Sequence, residues 1–130
     1  MTDPRYDIGE AVRREVLGDA HVDRSIEACT ELGAPLLEYL TRAGWGDVWS
    51  RDGLDRRARS CVTLGVLTAL HAHEELETHV RGAIRNGLTP AEISEVLLHT
   101  AVYAGIPAAL AALRVAERAI RESEPSEPGQ

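Results

Sequence analysis

From Leu54 to Leu70 the chain reads LDRRARSCVTLGVLTAL. The stretch opens polar, then carries apolar side chains on every face of a helical wheel. A helix of that kind is buried on all sides. In a chain of 130 residues, that demand falls on further helices or on other copies of the same chain. The fold class is therefore read first as all-α.

The flanking sequence agrees. Alternating strand patterns are lacking, and turn signals recur at helix spacing. RYDIGEAVRREVLG predicts a first helix with Ile8, Val12, Val16 and Leu17 on one stripe and Gly18 as its stop. A second helix is expected from Asp23 to about Leu32 and a third from Pro35 to about Arg42. GWGDVWSRDG reads as a loop in which Trp45 and Trp49 cap the core. After the apolar segment, a helix over Glu74–Asn86 ends at Gly87. TPAE is the clearest local signal: Thr89 is an N-cap, Pro90 fits N1, and Glu92 completes a capping box. That helix places Ile93, Val96, Leu97, Thr100, Ala101 and Ala104 on one face. GIP at 105–107 breaks it, and a last amphipathic helix runs to about Arg121. One domain over residues 1–121 follows, with the polar, Pro-rich tail 122–130 expected to be disordered.

Composition removes several function classes. The net charge of -7 and the lack of a basic, aromatic-studded patch argue against nucleic acid. No run approaches the ~20 apolar residues of a membrane span, and MTDPRYDIGEAVRREV lacks the apolar core of a signal peptide. Cys29 and Cys61 form no CxxC pair and read as reduced thiols of a cytoplasmic protein. All 14 basic residues are arginines, so no lysine Schiff base can form. GxxxxGK[ST] and GxGxxG turns are absent too.

HAHEELETH, residues 71–79, suggests a metal site, but the spacing fails. In HExxH register, Glu77 stands where the second histidine belongs. His73 and His79 lie six apart, so about 120° of helix separates them. No metal is expected, and His71 and His73 read as a solvated turn. His79 differs: Glu75 lies one turn earlier, and the apolar stripe Leu76, Val80, Ala83 and Ile84 puts His79 at the edge of the buried face. A carboxylate beside an imidazole makes an acid or base near neutral pH; the alternative is a boundary histidine with a helix-stabilising Glu. Glu95 and His99 form another i,i+4 pair that points to solvent unless a second subunit covers it. Tyr103 is placed nearer the core edge. Arg56, Arg57 and Arg59 oppose the helix dipole, which either function or pairing with nearby acids explains.

Several runs together resemble the carboxymuconolactone decarboxylase family, in its branch from protocatechuate breakdown. They are RREVLGDAHVDRS (13–25), WGDVWSRDGLDRRARS (45–60), residues 74–109 and RVAE (114–117). The wider superfamily includes disulfide reductases with CxxCxxxH. Counted back from His79, the two thiol positions are Ala72 and Glu75, so that redox chemistry is lost. Position 110 is Leu where Asn is expected, and Cys61 replaces an aliphatic residue.

The resemblance implies a compact helical domain of the carboxymuconolactone decarboxylase/alkylhydroperoxidase D-like type. It also implies a homo-oligomeric ring, a hexamer in the commonest form. The implied reaction is cofactor-independent decarboxylation of 4-carboxymuconolactone to the 3-oxoadipate enol-lactone. His79 would donate the proton, oriented by Glu75, with Glu95 as a further catalytic candidate. Arg14, Arg24 or Arg51 would bind the substrate carboxylates, and His21, Trp45, Trp49 and Tyr103 would line the pocket. A member acting on another lactone or carboxylic acid, and a non-catalytic oligomeric module, are the alternatives.

Overall fold

The computed structural model describes residues 3–124. Among them are seven α-helices, one π-helix and no strand. The chain divides into two compact units, Met1–Arg56 and Arg57–Gln130.

In the first unit, α1 (Pro4–Leu17) starts at Asp3, whose side chain accepts from the Arg5 amide. It stops at Gly18, whose φ of 90° suits a residue without Cβ. Because that single residue makes the whole turn, α2 (Asp19–Glu27) starts four residues earlier than expected and ends sooner. The buried face of α1 is Gly9, Val12, Arg13 and Val16, while Ile8 is half exposed. The expected stripe is thus rotated toward Gly9.

The second departure is larger. α3 (Ala34–Tyr39) runs directly into a π-helix, Leu40–Trp49, whose residues 44–49 were expected to be loop. Two glycines in this stretch lower helix propensity, so local preference argued for a loop. Packing overrides it. A Cβ on Gly9 would meet the Thr41 carbonyl oxygen at 2.0 Å, and one on Gly46 would meet the Arg5 carbonyl oxygen at 2.3 Å. The two helices approach so closely that only glycine fits at either point. Val12, Val16 and Trp45 form the small core beside that approach, flanked by Leu17, Leu40 and Trp49.

In the second unit, α4 (Arg56–Ala69), α5 (His73–Arg85), α6 (Pro90–Ala104) and α7 (Ile106–Ser123) follow in order. The capping box of α6 is present in both directions: Thr89 Oγ1 accepts from the Glu92 amide, and the Glu92 carboxylate accepts from the Thr89 amide. Gly87 and Gly105 take φ of 98° and 101° at the ends of α5 and α6. α7 continues two residues past the expected end, so residues 122 and 123 are helical; residues 125–130 of the expected tail lie outside the described residues.

Leu64, Leu76, Val80, Ile93 and Leu97 meet a run of small α7 side chains (Ala112, Ala116 and Ala119) in the core of this unit. Small residues along α7 let the neighbouring helices pack close. Within one chain, α4 is covered on one side only. Ser60, Leu64 and Thr68 are buried, but Val62 is 58% and Val66 48% exposed. One chain leaves an apolar face of α4 uncovered.

Candidate functional site

His79 sits on α5, half-buried between the core residues Leu76 and Ala83. Its edge position follows from the helix period, as the spacing predicted. Glu75 is one turn earlier and solvent-exposed. The carboxylate that α5 pins down is Glu77, which accepts from Arg81 (3.1 Å) and Arg118 (3.4 Å). His71 lies in the preceding turn with φ of 57°, and His73 opens α5; both are exposed, their rings 6.1 Å apart. Among the described residues, no group of three His, Cys, Asp or Glu side chains is arranged to hold a metal ion.

A groove of about 890 Å³ runs between α4 and α6. Val62, Val66 and Val96 give it apolar walls, and Glu95, His99 and Tyr103 reach it from α6. Glu95, His99 and Tyr103 follow at i, i+4 and i+8, so they form one ridge. The rings of His99 and Tyr103 are 5.3 Å apart and tilted by 41°. Tyr103 is 80% exposed, which corrects the core-edge reading. It lies about 100° around the helix from the buried pair Ile93 and Leu97. Glu75 and His79 do not line this groove. Leu110, in the place of an expected Asn, is half exposed on α7.

The other predicted residues belong to the first unit. Arg14 is held by three carboxylates: Glu10 at 3.5 Å, Asp19 at 3.2 Å and Asp23 at 2.9 Å. Its hydrogen bonds donated to Asp23 and Asp19 raise its already high pKa further. His21 is half-buried on α2, while Arg24 on α2 and Arg51 beyond the π-helix are exposed. Trp45 is buried and stacks on half-buried Trp49, with centroids 4.9 Å apart. Of the basic cluster that opens α4, Arg56 pairs with Glu15 at 2.6 Å and Arg57 with Glu92, so pairing with acids accounts for both.

Sequence reading missed Arg13. Only 7% exposed, it is the one buried charged residue among those described. Its Nη2 donates to Ser25 Oγ at 3.0 Å, and its Nε is buried with no acceptor. Burial lowers its pKa. A signal was available: Arg13 lies four residues after Gly9 and three before Val16, on the face that α1 buries.

Among the described residues the fold is all-helical, with His79 at a core edge. The chain belongs to the carboxymuconolactone decarboxylase family, whose model matches residues 34–118. It is 44% identical over 118 residues to a 4-carboxymuconolactone decarboxylase from Acinetobacter baylyi, covering 91% of this chain and 88% of that one. It is 43% identical over 117 residues to a nitrosuccinic acid decarboxylase from Metarhizium robertsii, covering 90% and 82%. A 4-carboxymuconolactone decarboxylase from Pseudomonas putida is 51% identical over 43 residues, 33% of this chain and 90% of that sequence.

Proposed function

We propose that the protein decarboxylates 4-carboxymuconolactone to the 3-oxoadipate enol-lactone. The observation that carries this reading is the 44% identity to a decarboxylase of that name over 91% of the chain. The chemistry suits the residues. When the ring carboxylate leaves as CO2, the electron pair of the broken bond moves through the ring alkene into the lactone carbonyl. A dienolate forms, and a proton delivered to the carbon beside that carbonyl completes the enol-lactone. The substrate is its own electron sink, so the protein supplies a carboxylate anchor, stabilisation of the oxyanion, and one proton. His79 is the proton donor, oriented by Glu75, and Glu95 supports the reaction. His21, Trp45 and Trp49 of the first unit and Tyr103 of the second are further candidates for substrate contact, and the cationic charge that holds the substrate comes from arginine.

The exposed apolar faces of α4 and α6 support a homo-oligomer, with a hexameric ring as the family-based form. Val62, Val66, Leu98, Val102 and Tyr103 are each at least 48% exposed, and contiguous apolar surface of this kind marks association. No helix is long and apolar enough to cross a membrane among the described residues; a cytoplasmic location fits the two free cysteines.

A second reading rests on the nitrosuccinic acid decarboxylase at 43% identity. Nitrosuccinate also loses CO2 from a carbon next to an electron sink, its nitro group. The deciding experiment offers purified protein both acids. Ultraviolet spectra follow the lactone, and CO2 release follows both. Lactone turnover well above that of nitrosuccinate is the expected result; turnover of nitrosuccinate alone replaces the first reading with the second, and turnover of neither overturns both.

A further inference from the structure

The first unit contains a buried cation that forms no ion pair among the described residues. Arg5 pairs with Asp3 and Asp47, Arg14 with three carboxylates, and Arg56 with Glu15. Arg13 is the most buried of the four and pairs with no carboxylate among the described residues. Its one hydrogen bond is to a neutral hydroxyl, Ser25 Oγ. A buried guanidinium with an unsatisfied Nε–H is costly to fold. The planar fork of donors matches a carboxylate in two parallel hydrogen bonds.

We propose that Arg13 is the anchor for the CH2–COO⁻ arm of the substrate. This rests on the decarboxylase reading above and deepens it. The choice of arm follows from charge. The ring carboxylate loses its charge as it becomes CO2, so a cation held against it would stabilise the ground state more than the transition state and slow the reaction. The arm keeps its charge throughout. A cation there binds ground state and transition state alike, lowering KM and leaving kcat nearly unchanged. The two acids named for the relatives share this arm. In 4-carboxymuconolactone and in nitrosuccinate alike, a CH2–COO⁻ group sits on the carbon that carries the departing carboxylate. Their electron sinks differ, one an unsaturated lactone and the other a nitro group. A single arginine on the common arm is therefore compatible with both chemistries, and the sink is where specificity between them is set. Ser25 is a positioning residue, fixing the guanidinium plane through Nη2.

The test uses the full-length protein with Arg13→Met, Arg13→Lys and Ser25→Ala, each checked by circular dichroism and sizing. For whichever acid the wild type turns over, Arg13→Met should raise KM about 10- to 100-fold with kcat within about threefold, the worth of a lost charged hydrogen-bond pair. Arg13→Lys should fall between, because it keeps the charge and loses the fork. Ser25→Ala should raise KM by a smaller factor. A binding readout stands apart from turnover: the lactone that carries the arm but a hydrogen in place of the ring carboxylate, titrated by calorimetry. Wild type should bind it, Arg13→Met should bind it about 10- to 100-fold more weakly, and the methyl ester of its arm should bind both proteins equally poorly. A folded Arg13→Met or Arg13→Lys protein with wild-type KM and wild-type affinity for this lactone overturns the proposal, as does a loss confined to kcat. If Arg13→Met does not fold, Arg13→Lys decides alone. Wild-type protein that turns over neither acid overturns the decarboxylase reading; the calorimetric comparison of acid and ester then still decides the role of Arg13.

Discussion

The guanidinium of Arg57, in the first turn of α4, is ion-paired to the carboxylate of Glu92 and also donates to the carbonyl of Gly87. One side chain thus joins the start of α4, the end of α5 and the capping box of α6. Gly87 is the left-handed residue that ends α5, and Glu92 is the residue that closes the box. The Glu92 carboxyl is held below its ordinary value of 4.5, first by the Thr89 amide and then by the charge of Arg57. A carboxylate with a depressed folded-state pKa contributes stability above its unfolded value, and that stability is lost as pH falls through the folded value. In urea unfolding from neutral pH down to about pH 3, the wild type should therefore weaken below 4.5 more steeply than Glu92→Gln. Parallel curves for the two proteins would remove Glu92 from the acid response. Thr89→Ala should cost about 1 kcal/mol at neutral pH, the usual worth of an N-cap.

Gly9 and Gly46 hold α1 against the π-helix. Alanine at either position puts a Cβ within 2.3 Å of a backbone oxygen, and backbone cannot step aside as a side chain can. Each variant should lose about 1–3 kcal/mol or more of stability. Gly44 is the internal control, because its Cβ would meet nothing within 4 Å. Gly44→Ala should be neutral or stabilising by up to about 1 kcal/mol. Thermal melts of the three variants decide it, and equal losses at all three would contradict the packing argument.

Proton delivery by His79 predicts a specific ranking. His79→Ala should lower kcat about 10²–10⁴-fold, the range for general acid–base catalysis. His79→Gln should fail nearly as badly, since an amide releases no proton. Glu75→Gln should lose less, and His71→Ala and His73→Ala should retain most activity, both being exposed. A folded His79→Ala protein with near-native kcat transfers the role elsewhere, with Glu95, Tyr103 and His21 next to be tested.

The exposed apolar faces predict self-association. Light scattering should report several times 14.1 kDa. Val66→Arg and Val102→Glu place charge on those faces, at positions 48% and 77% exposed, and should shift the protein toward smaller species. A wild-type monomer at micromolar concentration would contradict this.

Metal independence is the simplest check. The HExxH register fails at Glu77, and no three metal-binding side chains converge among the described residues. Activity should survive dialysis against a chelator. Loss of turnover that returns with stoichiometric zinc or iron would overturn the metal-free mechanism.

What the sequence determined by itself was local. The capping box at Thr89–Glu92, the glycine stops at Gly18, Gly87 and Gly105, and the edge position of His79 on α5 are set by residues within a turn or two of each other. Hydrogen-bond geometry and the helix period fix such features before any tertiary contact forms. Tertiary structure alone decided the rest. Helix propensity favours a loop over 44–53, yet residues through Trp49 are π-helical because Gly9 and Gly46 allow two backbones to meet. The apolar wheel of α4 could not tell which of its faces one chain covers; the core took Leu64 and left Val62 and Val66 outside. Two adjacent arginines look alike in sequence. The packing of α1 against α2 and the π-helix turns Arg13 inward, with no ion pair among the described residues, and leaves Arg14 among three carboxylates.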